Sequence, residues 1–258
     1  VGTITRGTTN PNRLRRCDRW LAGPQAWRLR RSSSTPVVVD LGYGASPITA
    51  VELHDRLARV RPDVEVVGIE IDPERVAAGR ELERPGLRFG LGGFEVPLEG
   101  GARPTVVRAF NVLRQYDESE VAGAWALVQD RLTDEGLLVD GTCDEIGRRA
   151  TWVAVERSGP VSLTVSLRLR GLDRPSDVAE RLPKALIHHN IPGEPIHAFL
   201  RDLDRAWAHA APQGAFGVRQ RFLSMASVVA SDWPLLDGPS RWRLGEITVA
   251  WSAVAASP

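Results

Sequence analysis

The sequence predicts an α/β fold: a mostly parallel, doubly wound sheet with an N-terminal helical cap and a C-terminal helical elaboration. Three observations predict it. Strand-like apolar runs alternate with helical stretches through five units between Val37 and Asp140, the rhythm of βα units that feed a parallel sheet. The first run, Val37-Val38-Val39-Asp40-Leu41, leads straight into Gly42-Tyr43-Gly44-Ala45-Ser46-Pro47, which reads as a buried strand, a tight turn and a helix start. After Gly141 the rhythm gives way to a hairpin, helices and one late strand.

Taken in order, residues 1–36 form a basic arm and cap. Asn10-Pro11 marks a helix start, with Leu14, Cys17 and Leu21 recurring at helical spacing. The polar run Arg30-Arg31-Ser32-Ser33-Ser34-Thr35-Pro36 reads as a linker. The first strand is Val37–Leu41, with Ser46 as N-cap and Pro47 as first residue of a helix to about Val60. The second strand is Val64–Ile71, and Asp72-Pro73 caps the next helix. Further strands are expected at Leu87–Leu91, Thr105–Phe110 and Leu137–Asp140, with a helix from about Glu118 to Leu132. Thr151–Glu156 and Val161–Leu169 flank the hairpin turn Arg157-Ser158-Gly159-Pro160. Glu194–Ala210 is amphipathic, with Ile196, Phe199, Leu200, Leu203, Ala206 and Trp207 on one face. A helix over Phe216–Ala230 and a strand within Trp242–Trp251 close the chain. The expected divisions are 1–36, a binding domain over 37–170, and a C-terminal elaboration over 171–258.

Composition narrows the class. Of 258 residues, 43% are hydrophobic and 25% charged, enough for a core and polar enough for a soluble protein. No apolar run approaches the ~18 residues of a membrane span, and the basic N-terminus has no apolar core of a signal peptide. A cytoplasmic protein is therefore expected, with no membrane partner. Cys17 and Cys143 are the two cysteines, lack metal-ligand spacing, and read as buried free thiols in a reducing compartment. The net charge of +1 hides an imbalance, because residues 1–36 carry eight arginines against Asp18 alone, or +7, leaving −6 for the rest.

The turn after the first strand carries the chemistry. Its glycines permit a sharp turn and close approach of a ligand. A dinucleotide fingerprint needs a small residue three positions after the second glycine; Pro47 stands there and disfavours a nicotinamide-dependent oxidoreductase. Instead Asp40 precedes Gly42 by two residues, and Val66-Val67-Gly68-Ile69-Glu70-Ile71 is a second strand ending in an acid able to accept two ribose hydroxyls. On these residues the chain resembles the class I S-adenosylmethionine-dependent methyltransferase superfamily, as a bacterial branch of it, over residues 37–141. Ser46 replaces the last glycine of the family's acid-x-G-x-G-x-G pattern.

The resemblance implies a Rossmann-like methyltransferase fold with S-adenosyl-L-methionine as co-substrate. It implies that Asp40, Gly42, Tyr43 and Gly44 order the turn and the methionine end, that Glu70 holds the ribose and that Ile71 packs on adenine. Gly93 and Phe94 in Leu91-Gly92-Gly93-Phe94-Glu95 then stand at the adenine edge, where the family's usual acid is missing. Asn111, after the fourth strand, faces the crevice beyond the strand ends; Leu113 and Tyr116 read as packing. No N-P-P-Y or D-P-P-Y motif of nucleobase amine methylation occurs.

Candidates for proton removal from the acceptor are Asp144, Glu145, His188 and His189, with Asp144 equally readable as the cap of a short helix. Cys143 has no activating base beside it. The spacing of His188, His189 and His197 matches no metal-ligand pattern, so no metal is expected. The implied reaction is direct methyl transfer to an O or N nucleophile. A small-molecule acceptor is favoured over RNA, the alternative that would use the basic arm with Trp20 and Trp27 stacking on bases. A cofactor-binding protein of the same fold without turnover is the other alternative. The acceptor, the base and the oligomeric state are not specified by the sequence.

Overall fold

The structure is a computed structural model that describes residues 9–256; the start of the basic arm, including Arg6, lies outside the described residues. These fall into two compact units, one running to Gly147 and including Val155–Gly159, the other comprising Arg148–Ala154 and the chain from Pro160 onward. The hairpin expected within the 37–170 domain thus belongs largely to the second unit.

The first unit begins with short helices α1 (Arg15–Leu21) and α2 (Ala26–Arg31). Leu14, Cys17 and Leu21 are buried as their spacing predicts. The helix starts later than Asn10-Pro11 suggests, because Asn12 adopts a left-handed φ of 60° that no helix continues through. There follow β1 (Val37–Leu41), α3 (Ile48–Leu57), β2 (Glu65–Glu70), α4 (Pro73–Arg80), β3 (Leu87–Leu91), β4 (Val106–Phe110), α5 (Glu118–Arg131) and β5 (Leu137–Cys143). The strands lie in the order β3-β2-β1-β4-β5, every neighbouring pair parallel. The chain therefore leaves β1 to one side and later returns to its other edge at β4, which makes the carboxyl end of β1 the topological switch point where ligands of such sheets bind.

Two helix starts show how the local chemistry operates. Asp72 caps α4 by accepting from the Glu74 N–H at 2.9 Å, with Pro73 at the first helical position. Asp117 and Glu120 form a reciprocal capping box on α5. At α3 the expectation is corrected: Pro47 itself is the cap residue, the helix begins at Ile48, and the Ser46 hydroxyl accepts from Ile48 N–H at 3.4 Å. β5 also runs three residues beyond Asp140 to Cys143, so Asp140, Gly141 and Thr142 lie in the strand and are buried.

The second unit contains β6 (Arg149–Glu156) and β7 (Gly159–Leu167), joined by two residues. It continues with α6 (Lys184–Ile187), α7 (Pro195–His209), α8 (Val218–Asp232), α9 (Pro239–Trp242) and β8 (Glu246–Ala250). The whole predicted apolar stripe of α7 is buried, and Trp207 meets Phe222 of α8 edge-on at 6.5 Å between ring centroids. β8 pairs antiparallel with β7, Val165 opposite Ile247, and the Thr164 and Thr248 hydroxyls share a 3.0 Å hydrogen bond. The late strand is shorter than Trp242–Trp251 because Trp242 closes α9, its indole held by Asp237 at 2.8 Å. Among the described residues, no helix is long and apolar enough to cross a membrane.

Candidate functional site

The turn after β1 is built as its glycines require. Gly42 and Gly44 adopt φ of 66° and 81°, values at which a side chain is strained. Gly42 N–H donates to the Ile69 carbonyl at 2.7 Å, so the turn lies against the end of β2. There Glu70, 1% exposed, accepts from Gly44 N–H on Oε2 and from Ile71 N–H on Oε1, both at 2.9 Å. Arg75 adds its guanidinium 3.6 Å away. Glu70 is thus the acid that holds the glycine turn, by charge-assisted bonds to backbone donors.

Asp40 does something else. Its carboxylate, 2% exposed, is bound by Arg108 through Nε to Oδ1 at 3.0 Å and Nη2 to Oδ2 at 2.8 Å, and by the Thr49 hydroxyl at 2.8 Å. Arg108 is wholly buried, pairs also with Asp18 of α1, and donates to the Thr49 carbonyl at 3.0 Å. Arg56 reaches Asp18 at 2.6 Å, Glu52 at 3.2 Å and Asn12 Oδ1 at 2.7 Å. Burial works against a charge on Arg108, but the carboxylates of Asp40 and Asp18 outweigh it and hold its pKa above the ordinary arginine value. The role expected of Asp40, ordering the turn and a ligand's amino group, is corrected: both carboxylate oxygens are engaged in a clamp that joins β1, β4 and the cap. Arg108 was missed at first reading. Its signal was a lone arginine inside the apolar run Val106–Phe110, which must find buried acids, and Asp18 was the arm's one acid.

The other turn residues are also committed. The Tyr43 side chain is buried, donates its hydroxyl to the Arg75 carbonyl at 3.0 Å and packs edge-on against Phe89, so only its backbone borders the turn. Gly93 N–H donates to Glu95 Oε1 at 2.9 Å. Phe94 is buried edge-on against Tyr116, 5.4 Å between centroids. Ile71 is half-buried. Asn111, with a left-handed φ of 60°, ties β4 to β5: its N–H donates to the Gly141 carbonyl at 2.7 Å, and its Oδ1 accepts from Cys143 N–H at 3.0 Å.

Beyond the turn, Thr9, Arg13 and Leu14 close the crevice over Asp40, Gly42 and Asn111, leaving a cavity of about 20 Å³. Arg13 is fixed there by the carbonyls of Asp144 at 3.0 Å and Cys143 at 3.4 Å; the Thr9 hydroxyl donates to the Tyr43 carbonyl at 3.1 Å. The donor set, two positive-φ glycines beside a carboxylate at the second strand's end, suits an adenosyl ribose. The space does not, until the 9–14 segment moves.

The proton-transfer candidates divide between the units. Asp144 and Glu145 follow β5 in the first; His188 and His189 end α6 in the second. Asp144 Oδ1 accepts from Ile146 N–H at 3.2 Å, closing a turn rather than capping a helix. Burial pushes the Cys143 thiol above its ordinary value, which opposes a nucleophilic role; both cysteines are free and buried. Among the described residues, no group of three or more His, Cys, Asp and Glu is placed to hold a metal ion.

No protein-family model matches the chain, and no curated protein does either. Among solved structures it is similar to the C-methyltransferase (CMeT) domain of the citrinin polyketide synthase, at 16% identity over 46% of this chain and 33% of that one, with a TM-score of 0.38. It is also similar to the plantazolicin methyltransferase BpumL in complex with a desmethyl-plantazolicin analogue and SAH, at 12% identity over 50% of this chain and 47% of that one, TM-score 0.38. A putative methyltransferase from Thermobifida fusca YX shows 22% identity over 51% of each chain, again with a TM-score of 0.38. The chain spans between a third and about half of the length of these three structures. Scores this low fix no activity, and the α/β fold itself rests on the strand order and register described above.

Proposed function

We propose that the chain is a class I S-adenosylmethionine-dependent methyltransferase, acting by direct transfer to an O or N nucleophile of a small molecule. The observation that carries this is the placing of the Gly42–Gly44 turn at the switch point of a parallel sheet, hydrogen-bonded to Glu70 at the end of β2. Bound there, S-adenosylmethionine supplies an electrophilic methyl group. The chain's own contribution is position: the turn's backbone beside the methionine end, Glu70 on the ribose, Phe94 and Ile71 about the adenine, and Asn111 at the crevice rim. Placement of this kind accounts for much of the barrier lowering in a bimolecular displacement. Asp144 and Glu145 are the acceptor-side carboxylates nearest in sequence to the strand end, with His188 and His189 as alternatives for proton removal.

Calorimetric titration with S-adenosylhomocysteine and with NAD tests the reading. Binding of the first and not the second is expected, and Glu70→Ala should weaken it at least tenfold, the loss of a charged acceptor costing about 1.5–3 kcal/mol. Retention of NAD binding alone would sink the proposal. A labelled-methyl screen of cell extract then identifies the acceptor.

A further inference from the structure

The second unit holds a cleft that the methyl-transfer reading does not use. Arg148 and Arg149 enter β6, while Arg168 and Arg170 leave β7, and the four line a cavity of about 390 Å³ with Leu167, Gly171 and Leu172. None of the seven lining residues is acidic. The two strand ends are fixed to one another, Arg168 N–H donating to the Arg148 carbonyl at 2.7 Å. The far wall is a turn, in which Leu172 N–H donates to the Leu169 carbonyl at 3.1 Å. Gly171 takes a φ of 75°, with open space where a side chain would stand. Asp177 meets Arg149 at 3.7 Å and Arg174 at 3.6 Å, so carboxylate partnership reaches the edge of the cluster from outside the lining.

Four guanidiniums brought to one concavity repel each other, and an anion relieves that repulsion. Guanidinium forks match phosphate oxygens two at a time, and two pairs of arginines suit two adjacent phosphates better than one. The volume falls in the range of small-molecule pockets, and Leu167 with Leu172 offers apolar surface for the rest of the ligand. A polynucleotide would call for a track of cations along its backbone, which an enclosed cleft does not provide. We propose that the cleft lined by Arg148, Arg149, Arg168 and Arg170 binds a small molecule carrying a diphosphate group.

The test is calorimetric titration of the full chain with inorganic pyrophosphate, orthophosphate and a single-stranded RNA oligonucleotide at physiological salt. Pyrophosphate should bind at least tenfold more tightly than orthophosphate. Arg170→Glu, an exposed position, should weaken it tenfold or more, and Arg168→Gln several-fold, while S-adenosylhomocysteine affinity stays unchanged. Circular dichroism melts establish that each variant is folded, and Arg170→Glu carries the test if the other is not. The proposal is overturned if pyrophosphate does not bind, if folded Arg170→Glu binds it as the parent does, or if RNA alone binds. Because S-adenosylhomocysteine is measured in the same samples, failure here is distinguishable from failure of the methyltransferase reading.

Discussion

At the scale of single residues, buried charge organises the centre of the first unit. Arg108 satisfies Asp40 and Asp18 together, so Arg108→Met leaves two buried carboxylates facing each other. Breaking such a pair by removing one partner costs about 3–5 kcal/mol, and urea unfolding should show a loss of that size; a change below about 1 kcal/mol would mean that the clamp is not formed in solution. Asp140 is the contrasting case. Burial raises its carboxyl to about 7, against the smaller pull of the Trp125 indole N–H, 3.1 Å from Oδ2. In the native chain the proton stays on until about pH 7, whereas the unfolded side chain releases it near 3.8. Between those values the native state binds more protons, so this group's contribution is fully present below pH 3.8 and is lost as pH rises through 7. Asp140→Asn, which keeps an acceptor for Trp125, should flatten the fall in unfolding free energy across that window by about 4 kcal/mol. Parallel slopes for parent and variant would show that Asp140 ionises normally.

At the scale of elements, the βα rhythm was legible because each strand is an apolar run bounded by turn residues, and because caps such as Asp72-Pro73 name helix starts. The glycine turn and Glu70 were legible for a related reason: positive φ and a buried acid at a strand end leave a local trace. The part of the crevice that failed to show is the part made by distant segments. Nothing local to Asp40 reveals that Arg108, 68 positions later, engages its carboxylate, nor that Thr9, Arg13 and Leu14 close over the turn. That closure has a measurable consequence on the methyltransferase reading. If the 9–14 segment must open, apparent ligand affinity is reduced by the fraction of chains that are open. Arg13→Ala removes the guanidinium bonds to the Asp144 and Cys143 carbonyls, and about 1.4 kcal/mol less closure means roughly ten times more open chains. S-adenosylhomocysteine should therefore bind Arg13→Ala more tightly, by up to about tenfold, in a calorimetric titration. A weakened affinity would show instead that Arg13 holds the ligand.

At the scale of the whole molecule, the uneven charge of the sequence is redistributed by folding. Arg16 and Arg28 are buried, Arg28 donating to the Glu135 carbonyl and pairing with Glu156. Arg13 and Arg15 spend donors on backbone carbonyls. Trp20 is buried, and the Trp27 ring is met by Arg28 at 4.4 Å and Arg31 at 5.3 Å, so neither indole stands ready as a stacking platform. Of the arm's described arginines, Arg19, Arg30 and Arg31 are exposed. Counterion release scales with the phosphates neutralised, with a slope of about −0.7 per contact on single strands. Three exposed arginines can thus supply a slope of about −2 in log affinity against log salt, where seven would supply about −5. Fluorescence anisotropy with a labelled single-stranded RNA between 50 and 200 mM salt, about the range over which such slopes are resolved, measures it. Replacing Arg19, Arg30 and Arg31 by glutamine should reduce the slope by about 2 and no more. A larger reduction would show that the arm's buried cations reach RNA after all, and would return nucleic acid to the list of acceptors.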